Sequence, residues 1–206
     1  MSKYIKERYT GTMPYKFIFM IDHDIYFEAM LESKRCVAHN LNGQRCSRNV
    51  CIGINLCWSH LLKYKHLKIK TSTIPNAGKG LFAEDNSLAP DAVVFSEGDL
   101  IADYIGERID RDTLIQRYAK HTAPYAFYLK NNVYIDSALE RGFASLANAA
   151  PTQRQKNARF VPNMRENPQR IQLKATKSIR NGDEILAGYG TSYKFDEEYK
   201  TKYMRL

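Results

Sequence analysis

No cysteine stands outside one window of 22 residues, Cys36 to Cys57, and residues 58–206 carry none. A disulfide framework spread through the chain is therefore excluded. There is a single tryptophan, Trp58, and no unbroken apolar run exceeds the five residues Phe17 to Ile21. A membrane-spanning helix needs roughly 20, and no secretory apolar core follows Met1, so a soluble, non-secreted protein without a membrane partner is expected. Acidic charge is scarce in the first third: residues 1–70 hold 5 Asp/Glu against 12 Lys/Arg, a balance of +7. Residues 71–206 hold 17 against 19, only +2 of the total +9. Charge confined to one segment suggests a segment with its own partner. Internal repeats, low-complexity tracts and βαβ spacing are absent too, which removes solenoids and doubly wound sheets. What remains is 206 residues with 44% hydrophobic content, 14 Tyr and 9 Phe, enough to bury a core.

The cysteine window ends in Cys57-Trp58-Ser59-His60. A Cys-x2-His pair is a short chelate loop that places a thiolate and an imidazole on one metal, and two further cysteines complete a tetrahedron. Cys36, Cys46, Cys57 and His60 are read as structural zinc ligands, with Cys51 a spare that can take the place of Cys46. The stretch resembles a small Cys3His finger of plant, oomycete and large-virus proteins, with Gly43 before the second cysteine and Gly53 before the third. About 25 residues carry that resemblance.

Two apolar runs, Tyr15 to Ile21 and Ile25 to Phe27, flank a polar turn and predict a hairpin. Leu67 to Thr73 alternates like a strand. Beyond it come short strands separated by turn residues: Leu100 to Gly106, a hairpin from Tyr125 to Ile135 about Asn131-Asn132, and Ile171, Leu173 and Ala175 before an Asn181-Gly182 turn. Arg111 to Ala119 has helical spacing. Many short strands with one or two brief helices predict a mostly β fold.

Five motifs then follow in a fixed order. Gly78-Lys79-Gly80-Leu81 allows close backbone approach to a ligand but lacks the third glycine of a dinucleotide fingerprint. Tyr125-Ala126-Phe127-Tyr128-Leu129 is an aromatic strand, and Tyr134-Ile135-Asp136-Ser137 ends the next. Leu146-Ala147-Asn148-Ala149 leads into a polar loop, after which Asn157 to Val161 resumes extended structure. Gly182-Asp183-Glu184-Ile185-Leu186-Ala187-Gly188-Tyr189-Gly190 closes the series. From Thr71 to Phe195 this order resembles the SET-domain protein lysine methyltransferases.

The resemblance implies several small curved sheets with a C-terminal pseudoknot, preceded by the small zinc module. It implies S-adenosylmethionine as cofactor, held by Gly78, Lys79, Gly80 and Leu81, by Tyr125 and Tyr189, and by Asn148 and Ala149. Tyr189 would be the catalytic tyrosine, with Tyr125 and Tyr128 lining the same channel. Where the family usually has Asn-His this chain has Asn148-Ala149, and Ala187 stands where a Phe or Tyr often limits methyl number. No cysteine-rich segment follows residue 190. The implied organisation is an N-terminal segment with the zinc module at 1–66, the methyltransferase domain at 67–195, and a tail at 196–206 whose aromatics, with Tyr193 and Phe195, close the channel.

The resemblance favours a basic protein substrate, a histone tail above all, in a nuclear or nucleocytoplasmic setting. Asp99, Asp103, Glu107, Asp110 and Asp112 would border its groove or form a solvated edge. Non-histone protein substrates stay open. The reading from another class is a nucleic-acid or nucleosome binding protein on a degenerate scaffold, making phosphate contacts through residues 34–70, with Arg45, Arg48, Lys63, Lys65, Lys68 and Lys70.

Overall fold

The turn chemistry read from the sequence becomes hairpins in the computed structural model, which describes residues 15–21, 24–31, 34–50, 54–75, 77–118, 123–165 and 168–189. Strands β1 (Tyr15–Ile21) and β2 (Asp24–Leu31) pair antiparallel as expected. Cys51, Tyr193, Phe195 and the tail 196–206 lie outside the described residues.

The finger begins with β3 (Lys34–Arg35) on β4 (Asn49–Val50). Helix α1 (Trp58–Lys65) takes Cys57 as its N-cap and ends on His66, whose φ of 53° turns the chain back. That turn leads directly into β5 (Leu67–Thr71), which pairs with β6 (Lys79–Ala83). Leu67 and Ile69 are buried and Lys68 and Lys70 are half-buried, the period-two pattern of a strand with one face on a core. Both lysines reach Glu84, Lys70 at 2.9 Å, and Glu84 N–H donates to the His66 carbonyl. The finger is thus not a tethered bead. Cys36, Ile54, Leu56, Cys57 and Leu61 belong to one continuous apolar cluster with Leu67, Leu81, Ala83, Leu173 and Ile185.

The middle of the chain supplies β7 (Val93–Phe95), β8 (Leu100–Tyr104), β9 (Glu107–Ile109) and α2 (Arg111–Tyr118). Strands β10 (Ala126–Lys130) and β11 (Val133–Asp136) form the expected hairpin, with β9 on the far side of β11. Asn131 and Asn132 carry φ of 48° and 60°, the left-handed pair that a two-residue turn requires. Fully buried Asp136 anchors α2: it accepts from Tyr118 OH at 2.9 and 3.0 Å, from Arg117 at 3.0 Å and from Ala138 N–H at 3.0 Å. Burial, with Asp136 beside it, pushes the Tyr118 phenol far above its usual range.

The last sheet decides the topology. It runs β12 (Asn148–Ala149), β16 (Leu186–Gly188), β13 (Ala158–Asn163), β14 (Arg170–Ala175), β8, while β15 (Ile179–Arg180) pairs with β7. Strand β16 lies parallel between β12 and β13. Residues 150–157 join the two strands that flank it, so this loop must cross over β16. The pseudoknot implied by the motif series is present.

Asn157 locks it. Its Nδ2 donates to the Glu184 carbonyl and its Oδ1 accepts from Leu186 N–H, both at 2.8 Å, in a buried setting. Each bond satisfies a backbone group that no water reaches, and an orphaned buried group costs about 1–3 kcal/mol. Asn157→Ala is expected to lower the unfolding free energy by about 2–4 kcal/mol, read from urea denaturation at unchanged slope. A loss under about 1 kcal/mol would show that the loop is held by other means.

Candidate methyl-transfer site and metal centre

The metal-ligating side chains come together from three places in the finger. Cys36 follows β3, Cys46 leaves the Asn40–Gln44 turn, and Cys57 and His60 sit at the cap and third position of α1. Their ligand atoms all lie within 4.8 Å of one another. Cys57 Sγ is 3.2 Å and Cys36 Sγ 3.4 Å from His60 Nδ1. A zinc ion with bonds of about 2.0–2.3 Å spans tetrahedral edges of roughly 3.5–3.8 Å, so the set is compatible with zinc. Burial pushes the Cys57 thiol up, but hydrogen bonds involving His60 N–H, Cys36, Arg48 and Cys46 outweigh it and leave the thiol below its usual value.

Several of the basic side chains in this region have hydrogen-bond partners within the fold. Arg45 donates to the Cys36 and Arg35 carbonyls, Arg48 to Ser59 Oγ, and Lys68 and Lys70 hold Glu84. Among the six basic residues expected to face phosphates, four are engaged in this way. The acidic run is treated alike. Asp99 accepts from Ser96 N–H at 2.7 Å, Asp103 pairs with Arg170 at 3.1 Å, Glu107 pairs with Arg117 at 2.7 Å, and Asp110 accepts from Thr113 N–H at 2.8 Å.

The second site forms where β6, β12 and β16 converge. Gly78, with φ of 74° and open space where a Cβ would stand, closes the loop into β6. At Gly80 the requirement is close approach: a Cβ there would sit 2.2 Å from Glu184 Oε1. Leu81 is fully buried and anchors the strand, while Ile185 N–H donates to its carbonyl at 2.7 Å. Asn148 Nδ2 donates to the Lys79 carbonyl at 3.1 Å and to Glu184 Oε1 at 3.2 Å. Lys79, Gly80, Leu81 and Asn148 are thus neighbours, as expected. Ala149 and Ala187 are buried partners in register across β12 and β16.

Tyr189 follows β16 and donates its hydroxyl to the Ala147 carbonyl at 2.8 Å. Its ring stands 6.2 Å from Phe160, which packs on Phe127 at 4.8 Å and on Tyr104 at 5.4 Å. Tyr104 OH donates to the Tyr125 carbonyl at 2.7 Å, and burial holds its phenol well above the usual range. The other two tyrosines read from the sequence each have a ring contact of their own. Tyr125 stacks under the Arg141 guanidinium at 4.3 Å, and Tyr128 is half-exposed with its ring on Tyr134. Strand alternation separates Tyr128 from Phe127, since the two are adjacent on β10 and must face opposite ways. Phe160 stands beside Tyr189 with Phe127 and Tyr104 packed on it, a cluster the motif reading passed over although the same alternation could have found Phe127.

The family model described as SET domain matches residues 78–190. Among solved structures, the Chaetomium thermophilum Polycomb Repressive Complex 2 in an autoinhibited conformation bound to S-adenosylmethionine includes a chain 26% identical, with a TM-score of 0.50 over 64% of this chain and 16% of that one. The same complex with H3K27me3 and H3K27M gives 24% identity and a TM-score of 0.50 over 81% of this chain and 18% of that one, which speaks to fold alone. The protein spans less than a fifth of the length of these chains. No curated protein sequence matches it.

Proposed function

The chain belongs to the SET-domain family, and from that premise we propose that it is an S-adenosylmethionine-dependent protein lysine methyltransferase, acting on a basic protein with a histone tail as the favoured substrate. The observation that carries the reading is the pseudoknot itself. It brings Tyr189, at the end of β16, beside Ala147 and Asn148 and within one strand of the Lys79–Leu81 backbone. The S-adenosylmethionine bound to the 26%-identical structure supports the choice of cofactor.

The cofactor would supply an electrophilic methyl group. Lys79 and Gly80 present backbone groups to it, Leu81 anchors their strand in the core, Gly78 leaves the approach open, and Asn148 and Ala149 hold the adenine end. The Ala149 backbone can make its contact without the imidazole usual in the family. The attacking lysine must be neutral, which at pH 7 costs about 4.6 kcal/mol from an unperturbed pKa near 10.4. An aromatic wall of Phe127, Phe160 and Tyr104 disfavours the ammonium by excluding water, and a neighbouring sulfonium adds like-charge repulsion. Tyr189 OH and the Ala147 carbonyl then orient the amine and the methyl group in line, working through proximity with no general base. Tyr125, whose carbonyl is held by Tyr104, and half-exposed Tyr128 border the entrance. Residues 1–66, 67–195 and 196–206 serve as zinc-bearing support, catalytic domain and channel closure, and a histone substrate places the protein in the nucleus.

The test is methyl incorporation from labelled S-adenosylmethionine into a panel of histone peptides, intact nucleosomes and non-histone basic proteins. Transfer to a lysine of a histone tail is the expected result. Incorporation only into non-histone proteins would overturn the substrate, and no transfer together with no cofactor binding would overturn the enzyme.

A further inference from the structure

Glu184 is buried, and among the described residues no cation forms an ion pair with it. A carboxylate in that position is costly unless neutral donors saturate it, and here they do. Oε1 accepts from Ser72 Oγ at 2.7 Å and from Asn148 Nδ2 at 3.2 Å; Oε2 accepts from Thr73 N–H at 2.7 Å and from Thr73 Oγ1. Those donors come from two separate parts of the fold, the loop between β5 and β6 and strand β12. Gly80 completes the arrangement, because any side chain there would displace Oε1. The Asn148 amide has its NH2 committed to Glu184 and to the Lys79 carbonyl. Its Oδ1 is thereby turned away from both acceptors, and the amide cannot flip without setting oxygen against oxygen.

We propose that Glu184 is a positioning residue of the cofactor site, fixing the Asn148 amide and the Lys79–Gly80 backbone in the geometry that receives S-adenosylmethionine. The inference rests on the methyltransferase reading above and adds a residue to it. Glu184 touches no reacting atom; it acts through Asn148. Glu184→Gln preserves the shape but puts an NH2 where one of the two oxygens accepted. One pair of donors then faces another donor, so the brace on Asn148 is lost, either at the amide itself or at the Ser72 and Thr73 donors that hold the carboxylate against it.

The experiment is a double-mutant cycle on the full chain, with S-adenosylmethionine binding measured by calorimetry and steady-state kinetics alongside. Glu184→Gln is expected to weaken cofactor binding and raise the cofactor KM about tenfold or more, with kcat at saturating cofactor within about twofold of wild type. In an Asn148→Ala background the same change should add less than about twofold, because the two residues act as one unit. Thr73→Val keeps the N–H and removes one hydroxyl donor; it should raise the dissociation constant about threefold, and it serves if Glu184→Gln does not fold. A folded Glu184→Gln protein that binds like wild type, a full tenfold loss repeated in the Asn148→Ala background, or a fall in kcat with KM unchanged would each overturn the proposal. Wild-type protein showing no binding heat would overturn the methyltransferase reading together with this one, whereas binding wild type beside an unaffected variant overturns this one alone.

Discussion

Replacing Tyr189 by Phe is expected to lower kcat for lysine methylation about 10²–10³-fold while leaving the S-adenosylmethionine dissociation constant within about twofold. The substitution removes one oxygen and keeps the ring, so packing on Phe160 survives. What disappears is the hydroxyl donated to Ala147, the group best placed to hold an incoming amine on the line of attack. A positioned dipole contributes in the transition state more than in the ground state, which is why the loss falls on kcat. Single-turnover transfer into the best peptide, paired with calorimetry of cofactor binding, reads both quantities. Equal activity in the two proteins would remove Tyr189 from the mechanism, and a parallel loss of cofactor binding would reassign it to the cofactor pocket.

Stripping the metal should do still more damage. Structural zinc contributes about 10–16 kcal/mol in small fingers, against a total stability of about 5–15 kcal/mol for a domain. The size of that difference decides the outcome for whatever shares a core with the ligands. Here Cys36 and Cys57 lie in the same apolar cluster as Leu67, Leu81 and Ile185, and α1 passes straight into β5. Cys57→Ser, or a strong chelator, is therefore expected to abolish the cooperative unfolding transition of the whole chain and with it S-adenosylmethionine binding. Calorimetry with and without chelator tests this. If the cofactor still bound and a transition remained, the finger would be an independent module, as its charge and cysteine content alone suggest.

Local features were legible wherever chemistry acts between near neighbours in the chain. Asn131-Asn132 announced a left-handed turn, Leu67 and Ile69 a strand with one buried face, and Cys57-x2-His60 a chelate. The order of five short motifs carried the family. Contacts between segments far apart in the chain were not readable by these rules. Glu184 looked like one member of a Gly-Asp-Glu-Ile string, yet it accepts from Ser72, Thr73 and Asn148. Asn157 looked like the first residue of a strand, yet it holds the backbone on both sides of Ile185. Tyr128 drew notice as a tyrosine in a tyrosine-rich strand, whereas Phe127, on the opposite face, is the one that packs on Phe160, the neighbour of Tyr189.

The balance of +7 on the first 70 residues suggested a polyanion partner for the finger. In the fold, exposed Arg45 and Arg48 donate to neutral carbonyls and a hydroxyl and keep their charge at the surface, while Lys68 and Lys70 share the half-buried Glu84 carboxylate. Formal charge counts groups without knowing their partners. What the sequence by itself determined was the mostly β class, the family and a Cys/His window able to hold a metal, because each depends on residue type at short spacing. Only the tertiary structure decided that the finger and the SET-domain sheets share one core, that the last strand slots between two earlier ones, and that a buried carboxylate ties the glycine hairpin to Asn148. Those are long-range matters of which surfaces meet, and no local pattern encodes them.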